Sequence, residues 1–242
     1  MSIALPDLSP APVSWHGPAR PDGRPHYIAV EGVIGAGKTT LARGLADRLG
    51  GRLLAEEFEE NPFLSHFYEE PERYAFPTQS FFLLSRYRQQ SALHQLDLFH
   101  DTVVSDYTFD KDRIFATITL NEHEFMVYEG LRTALAELVV EPDLIVYLQS
   151  DVDQLMSNIA TRGRAMESAI DSDYLTTLKE RYARHFLSNG SRPTLLVAAG
   201  DMTSDQLLDA LVAEIDGASA ENEVGELSRD DRNAVTVDEG AP

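Results

Sequence analysis

The segment Tyr27–Leu41, YIAVEGVIGAGKTTL, constrains the chain more than any other stretch. The apolar run Ile28, Ala29 and Val30 reads as a buried strand. It passes through Gly32-Val33-Ile34-Gly35-Ala36-Gly37-Lys38-Thr39 into the pattern Lys38–Leu49, whose Leu41, Leu45 and Leu49 share one helical face. This is the phosphate-loop pattern G-x-x-x-x-G-K-[ST] in its strand–loop–helix setting. The glycines let successive backbone N–H groups turn inward around an anion, and the helix start adds the positive end of its dipole. Lys38 can reach the β- and γ-phosphates, and the Thr39 hydroxyl can ligate Mg²⁺. The predicted ATP-binding set is Gly32, Gly35, Ala36, Gly37, Lys38, Thr39 and Thr40. The loop establishes a triphosphate site and leaves the reaction to be read from the rest of the chain.

Strand and helix patterns alternate downstream. Gly50-Gly51 ends the first helix. Leu53–Ala55 reads as the second strand, with Glu56-Glu57 at its carboxyl end, where ligand groups gather in open α/β sheets. Asn61 is read as the N-cap of a short helix carrying Phe63, Leu64, Phe67 and Tyr68, which Glu70-Pro71 breaks. A long helix is predicted over Glu72–Leu98, with Phe81, Leu84 and Tyr87 among its apolar positions and a kink or new first turn at Pro77. Thr102–Ser105 is the third strand, ended by Asp106. Tyr107–Leu120 is a loop leading into helix, and Glu122–Val140 is a further helix with Phe125, Leu131, Leu135 and Leu138 at helical spacing. Leu144–Leu148 is apolar throughout, as a strand buried on both faces should be. Helices over Val152–Ala160 and Asp173–Phe186 flank TRGRAMES, Thr161–Ser168. Thr194–Ala198 is the fifth strand, and Ser204–Ile215 the last helix, capped by Ser204. This order predicts an α/β chain with a P-loop NTPase fold: a five-stranded parallel sheet, helices on both faces and an arginine-bearing lid. The division expected is an arm over Met1–His26, one domain over 27–215 and an acidic disordered tail over 216–242.

Composition narrows the partners. The 242 residues carry a formal charge of −20, which repels nucleic acid. From Asp216 onward eight acids face two arginines, so the body without the tail still carries −14. Only three lysines exist, Lys38, Lys111 and Lys179, so positive charge must be concentrated at the site. Cysteine is absent, which excludes thiolate metal sites and cysteine nucleophiles and suits a reducing cytoplasm. No run of about 18 apolar residues is present, so no membrane span is expected, and no signal peptide is visible.

Phosphoryl transfer also needs a metal, cations around the moving group and a residue to orient the nucleophile. Asp106, at the end of an apolar strand, stands where a Walker-B type acid holds Mg²⁺. Arg162 and Arg164 flank Gly163 after a helix and can swing over the phosphates as a lid. Glu56 is the candidate base. The seven histidines show no metal-binding spacing, and no serine–histidine–aspartate arrangement is suggested.

Taken together, EGVIGAGKTTL, LLAEEFEENPFL, FYEEPERYAFPTQSFFLLSR, DKDRIFA and RGRAMES resemble the deoxynucleoside kinase family, in particular its bacterial deoxyadenosine/deoxyguanosine kinase branch, over about Tyr27 to Ile215. The resemblance implies ATP-dependent phosphorylation of a deoxynucleoside 5′-hydroxyl with Mg²⁺, and a homodimer formed through a helix pair. By position it implies that Glu56 accepts the 5′-hydroxyl proton, that Tyr68 and Glu167 hold the sugar 3′-hydroxyl, that Gln79 reads the base and that Phe115 is an aromatic platform. It makes Arg162 and Arg164 the lid and sets Lys38 beside them in the catalytic group. Many members carry acid-arginine-serine at the end of the third strand. Here Ser105-Asp106-Tyr107-Thr108 stands instead; with Asp106 as the acid, Tyr107 replaces the arginine, and Lys111 or Arg113 is the candidate for its charge. A thymidylate kinase-like enzyme would need basic residues for an anionic acceptor, whereas Phe58–Glu72 is strongly acidic. A guanine-nucleotide switch would carry an N-K-x-D stretch, which is absent.

Overall fold

The computed structural model describes residues 26–95, 102–164, 167–188, 194–198 and 205–216. Residues 1–25 of the expected arm, 217–242 of the expected tail, the Ser204 cap and residues 96–98 of the expected long helix lie outside them. Five strands make one parallel sheet in the order β2-β3-β1-β4-β5: β1 (Tyr27–Gly32), β2 (Arg52–Leu54), β3 (Val103–Ser105), β4 (Leu144–Gln149) and β5 (Thr194–Ala198). The helices are α1 (Lys38–Leu49), α2 (Leu64–Glu69), α3 (Pro71–Ser91), α4 (Lys111–Thr119), α5 (Glu122–Ala136), α6 (Val152–Arg162), α7 (Ser172–Ser188) and α8 (205–216). This is a P-loop NTPase architecture.

The chain builds β2 and β3 on one side of β1, then β4 and β5 on the other. β1 therefore lies at the switch point, where a crevice opens beyond the carboxyl ends of the strands. Ala29 pairs with Ser105 and Leu54 pairs with Ser105. That register brings Glu31, Glu56 and Asp106 to one edge of the sheet. The middle strands have no water-facing side: all six residues of β1 and five of the six in β4 are buried. Helix α1 meets them with Leu41, Ala42, Leu45 and Ala46. Each fully buried Leu, Ile or Val side chain contributes about 1.5–3 kcal/mol, so these strands hold the site's frame rigid.

Several boundaries differ from the sequence reading. β2 runs over Arg52–Leu54, because Arg52 N–H already bonds Thr102 C=O at 2.8 Å and starts the ladder a residue early. α3 ends at Ser91 and passes into a 3₁₀ turn over Ala92–Gln95. It opens with Pro71 in its first turn, where a missing N–H costs nothing, and continues through Pro77. α5 stops at Ala136 rather than Val140 and starts with a capping box between Asn121 and Glu124. Asn61 is not a helix cap. Its Oδ1 accepts from Phe63 N–H at 3.0 Å, its Nδ2 donates to Thr78 C=O at 3.1 Å, and α2 begins only at Leu64. Asn61 thus ties the loop after β2 to α3.

The apolar stripe of α5 is not wholly core. Leu131 is exposed, together with Met126 and Val127; Leu138, past the end of the helix, and Leu84 of the neighbouring α3 are exposed too. Conversely, the buried side of α3 is mainly polar: Thr78, Gln79, Ser85, Arg86 and Gln90 accompany Ala75 and Leu83.

Candidate active site

A cavity of about 580 Å³ occupies the crevice at the switch point, with the phosphate loop at one end and the α2–α3 and lid segments at the other. Gly37 takes a left-handed conformation, φ 89°, and precedes α1 without any side-chain cap. The first intrahelical bond there runs from Leu41 N–H to Gly37 C=O, so the earlier amides of the helix start are left for an anion. Gly35, φ 86°, passes so close to α6 that a Cβ would lie 2.8 Å from Leu155 C=O, and Asn158 Nδ2 donates to Gly35 C=O at 2.8 Å. Gly32 and Ala36 shape the loop from behind and are buried. Thr40 is exposed at its mouth. Lys38 Nζ donates to Val33 C=O at 3.0 Å. Burial, reinforced by Lys111, lowers its ammonium to about 8 against the pull of Glu31, Glu56 and Asp106.

Asp106 is buried at the end of β3 and faces two elements at once. One carboxylate oxygen accepts from the Thr39 hydroxyl, and the other accepts from Glu56 N–H at 2.8 Å. Two hard oxygen groups thus meet at the end of the phosphate loop, a donor set of the kind Mg²⁺ takes.

Glu56 is the hub of a charge cluster. Lys111 Nζ lies 2.5 Å from one of its oxygens, and Arg86 Nε donates to the other at 3.1 Å, with a second Arg86 nitrogen also bound. Burial works to raise the Glu56 carboxyl, but Lys111 and Arg86 outweigh it and hold the group well below the usual carboxylate range. Arg86 also binds Asp112, whose carboxyl burial pushes up to about 6, with Arg86 opposing and Glu56 assisting. The Arg86 guanidinium lies over the Phe82 ring at 5.0 Å and near Tyr107 at 5.8 Å.

At the acceptor end, Gln79 is buried on α3 and its Nε2 donates to Thr119 Oγ1 at 3.3 Å. Phe115 meets Tyr182 edge-on at 6.2 Å and turns its other side to the cavity wall. Burial raises the Tyr68 hydroxyl, and Tyr174 and Glu167 add to that. Glu167 is buried, with both of its oxygens 2.6 Å from Arg162 Nη2; Arg164 Nη1 lies 3.4 Å away. Arg164 also stacks on Phe58 at 4.0 Å, so the lid touches the loop after β2 across the crevice.

The fold therefore gathers Lys38, Thr39, Glu56, Tyr68, Gln79, Asp106, Phe115, Arg162, Arg164 and Glu167 around one cavity, although they span 130 positions of sequence. It also separates the two candidate cations near the third strand by position. Tyr107 turns away from the cavity and donates to Gln89 at 2.6 Å. Lys111 enters it and reaches Glu56, whereas Arg113 pairs with Glu129 at 3.0 Å outside. Arg86 was missed by the sequence reading. No local signal in the sequence marks it, because only the fold shows that the polar face of α3 is buried.

Comparison with known proteins agrees with this geometry. The family model described as "Deoxynucleoside kinase" matches residues 28–217. Deoxyguanosine kinase of Bacillus subtilis (strain 168) is 36% identical over 158 residues, 64% of this chain and 76% of that one. Deoxyadenosine/deoxycytidine kinase of the same organism is 28% identical over 207 residues, 81% of this chain and 94% of its own. A solved deoxyadenosine kinase from M. mycoides, holding dCMP and a flexible dCDP, superimposes with a TM-score of 0.71 at 23% identity, covering 79% of this chain and 99% of that one. With the phosphate loop, the acid at the end of β3 and the carboxylate beyond β2 all opening on one cavity, and a family match that runs from β1 into the last helix, the chain belongs to the deoxynucleoside kinase family.

Proposed function

We propose that this kinase transfers the γ-phosphoryl group of ATP to the 5′-hydroxyl of a purine deoxynucleoside, deoxyadenosine or deoxyguanosine, with deoxycytidine as a further acceptor, in nucleotide salvage. The observation that carries this reading is one cavity in which an ionised, doubly paired Glu56 stands between the phosphate loop and the α2–α3 segment. Relatives named for deoxyguanosine and deoxyadenosine support the purine preference.

In this reading Glu56 aligns the 5′-hydroxyl and takes its proton late, once bonding to phosphorus has made that oxygen acidic. A carboxylate held low by two cations is a weak base, and a loose transfer asks little more of it. Tyr68 and Glu167 hold the 3′-hydroxyl, Gln79 offers a donor and an acceptor to the base edge, and Phe115 stacks on it. Lys38, Arg162 and Arg164 neutralise charge on the phosphates, and the lid excludes water. Thr39 and Asp106 would hold Mg²⁺, which when bound would supply charge neutralisation to the phosphates.

The same reading places the kinase unit within 27–215 and the protein in the cytoplasm as a homodimer. The exposed apolar face of Leu84, Met126, Val127 and Leu131 supports pairing of α3 and α5 with a second copy. Among the described residues no helix is long and apolar enough to cross a membrane. The deciding experiment is a panel of nucleosides and deoxynucleosides with ATP and Mg²⁺. ADP release that depends on a purine deoxynucleoside is expected, and ADP release that depends on no acceptor refutes the reading.

A further inference from the structure

Glu31 is a buried acid that the transfer scheme leaves without a task. It is fully buried near the end of β1, directly before the phosphate loop. A carboxylate in such a place costs several kcal/mol of desolvation unless it is well partnered. Its partners are specific. One oxygen accepts from Thr108 N–H at 2.6 Å and from the Thr108 hydroxyl at 2.8 Å, and the other accepts from Gly32 N–H at 3.3 Å. Three donors point at the group and no acceptor does, so its hydrogen bonds favour the carboxylate against the burial that raises its carboxyl above the usual range.

Thr108 passes the connection on. Its carbonyl and its hydroxyl each accept from Lys111 N–H at 3.3 Å, which closes the turn leading into α4. Lys111 then extends from that turn to Glu56 at 2.5 Å. A continuous path thus runs from the strand under the phosphate loop, through the β3–α4 corner, to the residue that faces the acceptor hydroxyl.

We propose that Glu31 is a positioning residue for phosphoryl transfer: by gripping Thr108 it fixes the β3–α4 corner so that Lys111 meets Glu56. Lys111 itself does not touch Glu31 through any of these bonds; the control runs through the backbone of the turn leading into α4. Lys111 and Lys38 also favour the charged form of Glu31, opposing the burial that raises its carboxyl. An apolar residue would fill the same space and lose both effects. The inference rests on the kinase reading above.

The test is steady-state kinetics of the full chain with ATP, Mg²⁺ and the acceptor identified by the panel. Glu31→Ala and Thr108→Val are expected to lower kcat about 10- to 100-fold, as loss of an orienting partner does, while KM for both substrates stays within roughly threefold. Thr108→Ser, which restores the hydroxyl, is expected to return kcat to within about threefold of wild type. In a Lys111→Met background Glu31→Ala is expected to cost less than about threefold more, because residues on one path are not additive. An undiminished effect in that background overturns the proposal, as does a loss confined to the KM for ATP, or a lower melting temperature with kcat unchanged. If Glu31→Ala does not fold, Thr108→Val in the two backgrounds decides by the same criteria. A wild-type protein without acceptor-dependent turnover sinks the kinase reading; an active wild type with additive variants sinks this inference alone.

Discussion

Arg86→Met probes the charge cluster most directly. Arg86 is 4% exposed at its side chain and lies against Glu56 at 15% and Asp112 at 1%. Methionine keeps much of the apolar contact with Phe82 and Tyr107, so the loss reports chiefly the charge. Removing one partner of a buried ion pair costs about 3–5 kcal/mol, because the other charge stays behind. At about 2–4 °C per kcal/mol for a chain of this size, the melting temperature should fall by roughly 6–20 °C at pH 8. The loss should depend on pH. The Asp112 carboxyl, already pushed up to about 6 by burial, rises further when Arg86 is gone. A carboxyl raised in the folded state contributes stability below its unfolded value and loses it as pH climbs through the folded value. Glu56, held low in the wild type, contributes stability above its unfolded value, and part of that contribution disappears with Arg86. The Asp112 effect makes the deficit larger at pH 8 than at pH 5, whereas the Glu56 contribution is already in place at pH 5 and changes little between the two. Thermal unfolding followed by circular dichroism at the two pH values measures it. A deficit below about 1 kcal/mol, the scale of an exposed pair, or one equal at both pH values would refute the argument.

Glu56→Gln should lower kcat by about 10²- to 10⁴-fold with ATP affinity nearly intact, read by turnover and nucleotide titration; unchanged turnover removes Glu56 from the hydroxyl-orienting role. Gly35→Ala places a Cβ 2.8 Å from Leu155 C=O at a left-handed φ of 86°, so ATP binding should weaken at least tenfold by calorimetry, in line with a strain of about 1–3 kcal/mol. Wild-type affinity there would show that the loop relaxes away from α6. Leu131→Glu should shift the species seen by light scattering from dimer to monomer, whereas a wild-type protein that is already monomeric removes the dimer assignment.

The phosphate loop was readable because its chemistry is local: glycines, a lysine and a threonine at fixed spacing between a strand and a helix need no distant residue to be recognised. Glu56 and Asp106 were readable by a topological rule, since the residues that follow parallel strands share one edge of the sheet. Tyr68, Gln79, Phe115 and Glu167 entered through family resemblance, and the fold brings them to the same cavity. Helix ends were less legible. The α3 terminus and the Asn61 turn depend on contacts with other elements, as the Asn61 bond to Thr78 illustrates.

Residue type and spacing therefore determined the nucleotide site, the alternation of the fold and the acids at its strand ends. Tertiary structure decided which cations reach Glu56. Lys111 and Arg113 are two positions apart, hence about 200° apart around a helix, and only the docking of α4 turns one to Glu56 and the other to Glu129. Arg86 is one of 20 basic residues, indistinguishable in sequence from a solvated helix charge until α3 packs its polar face inward. Glu31 likewise reads as an ordinary strand-end acid. Its grip on Thr108 exists because β1 and β3 are neighbours in the sheet, and electrostatic partners across a sheet are set by register rather than by distance along the chain.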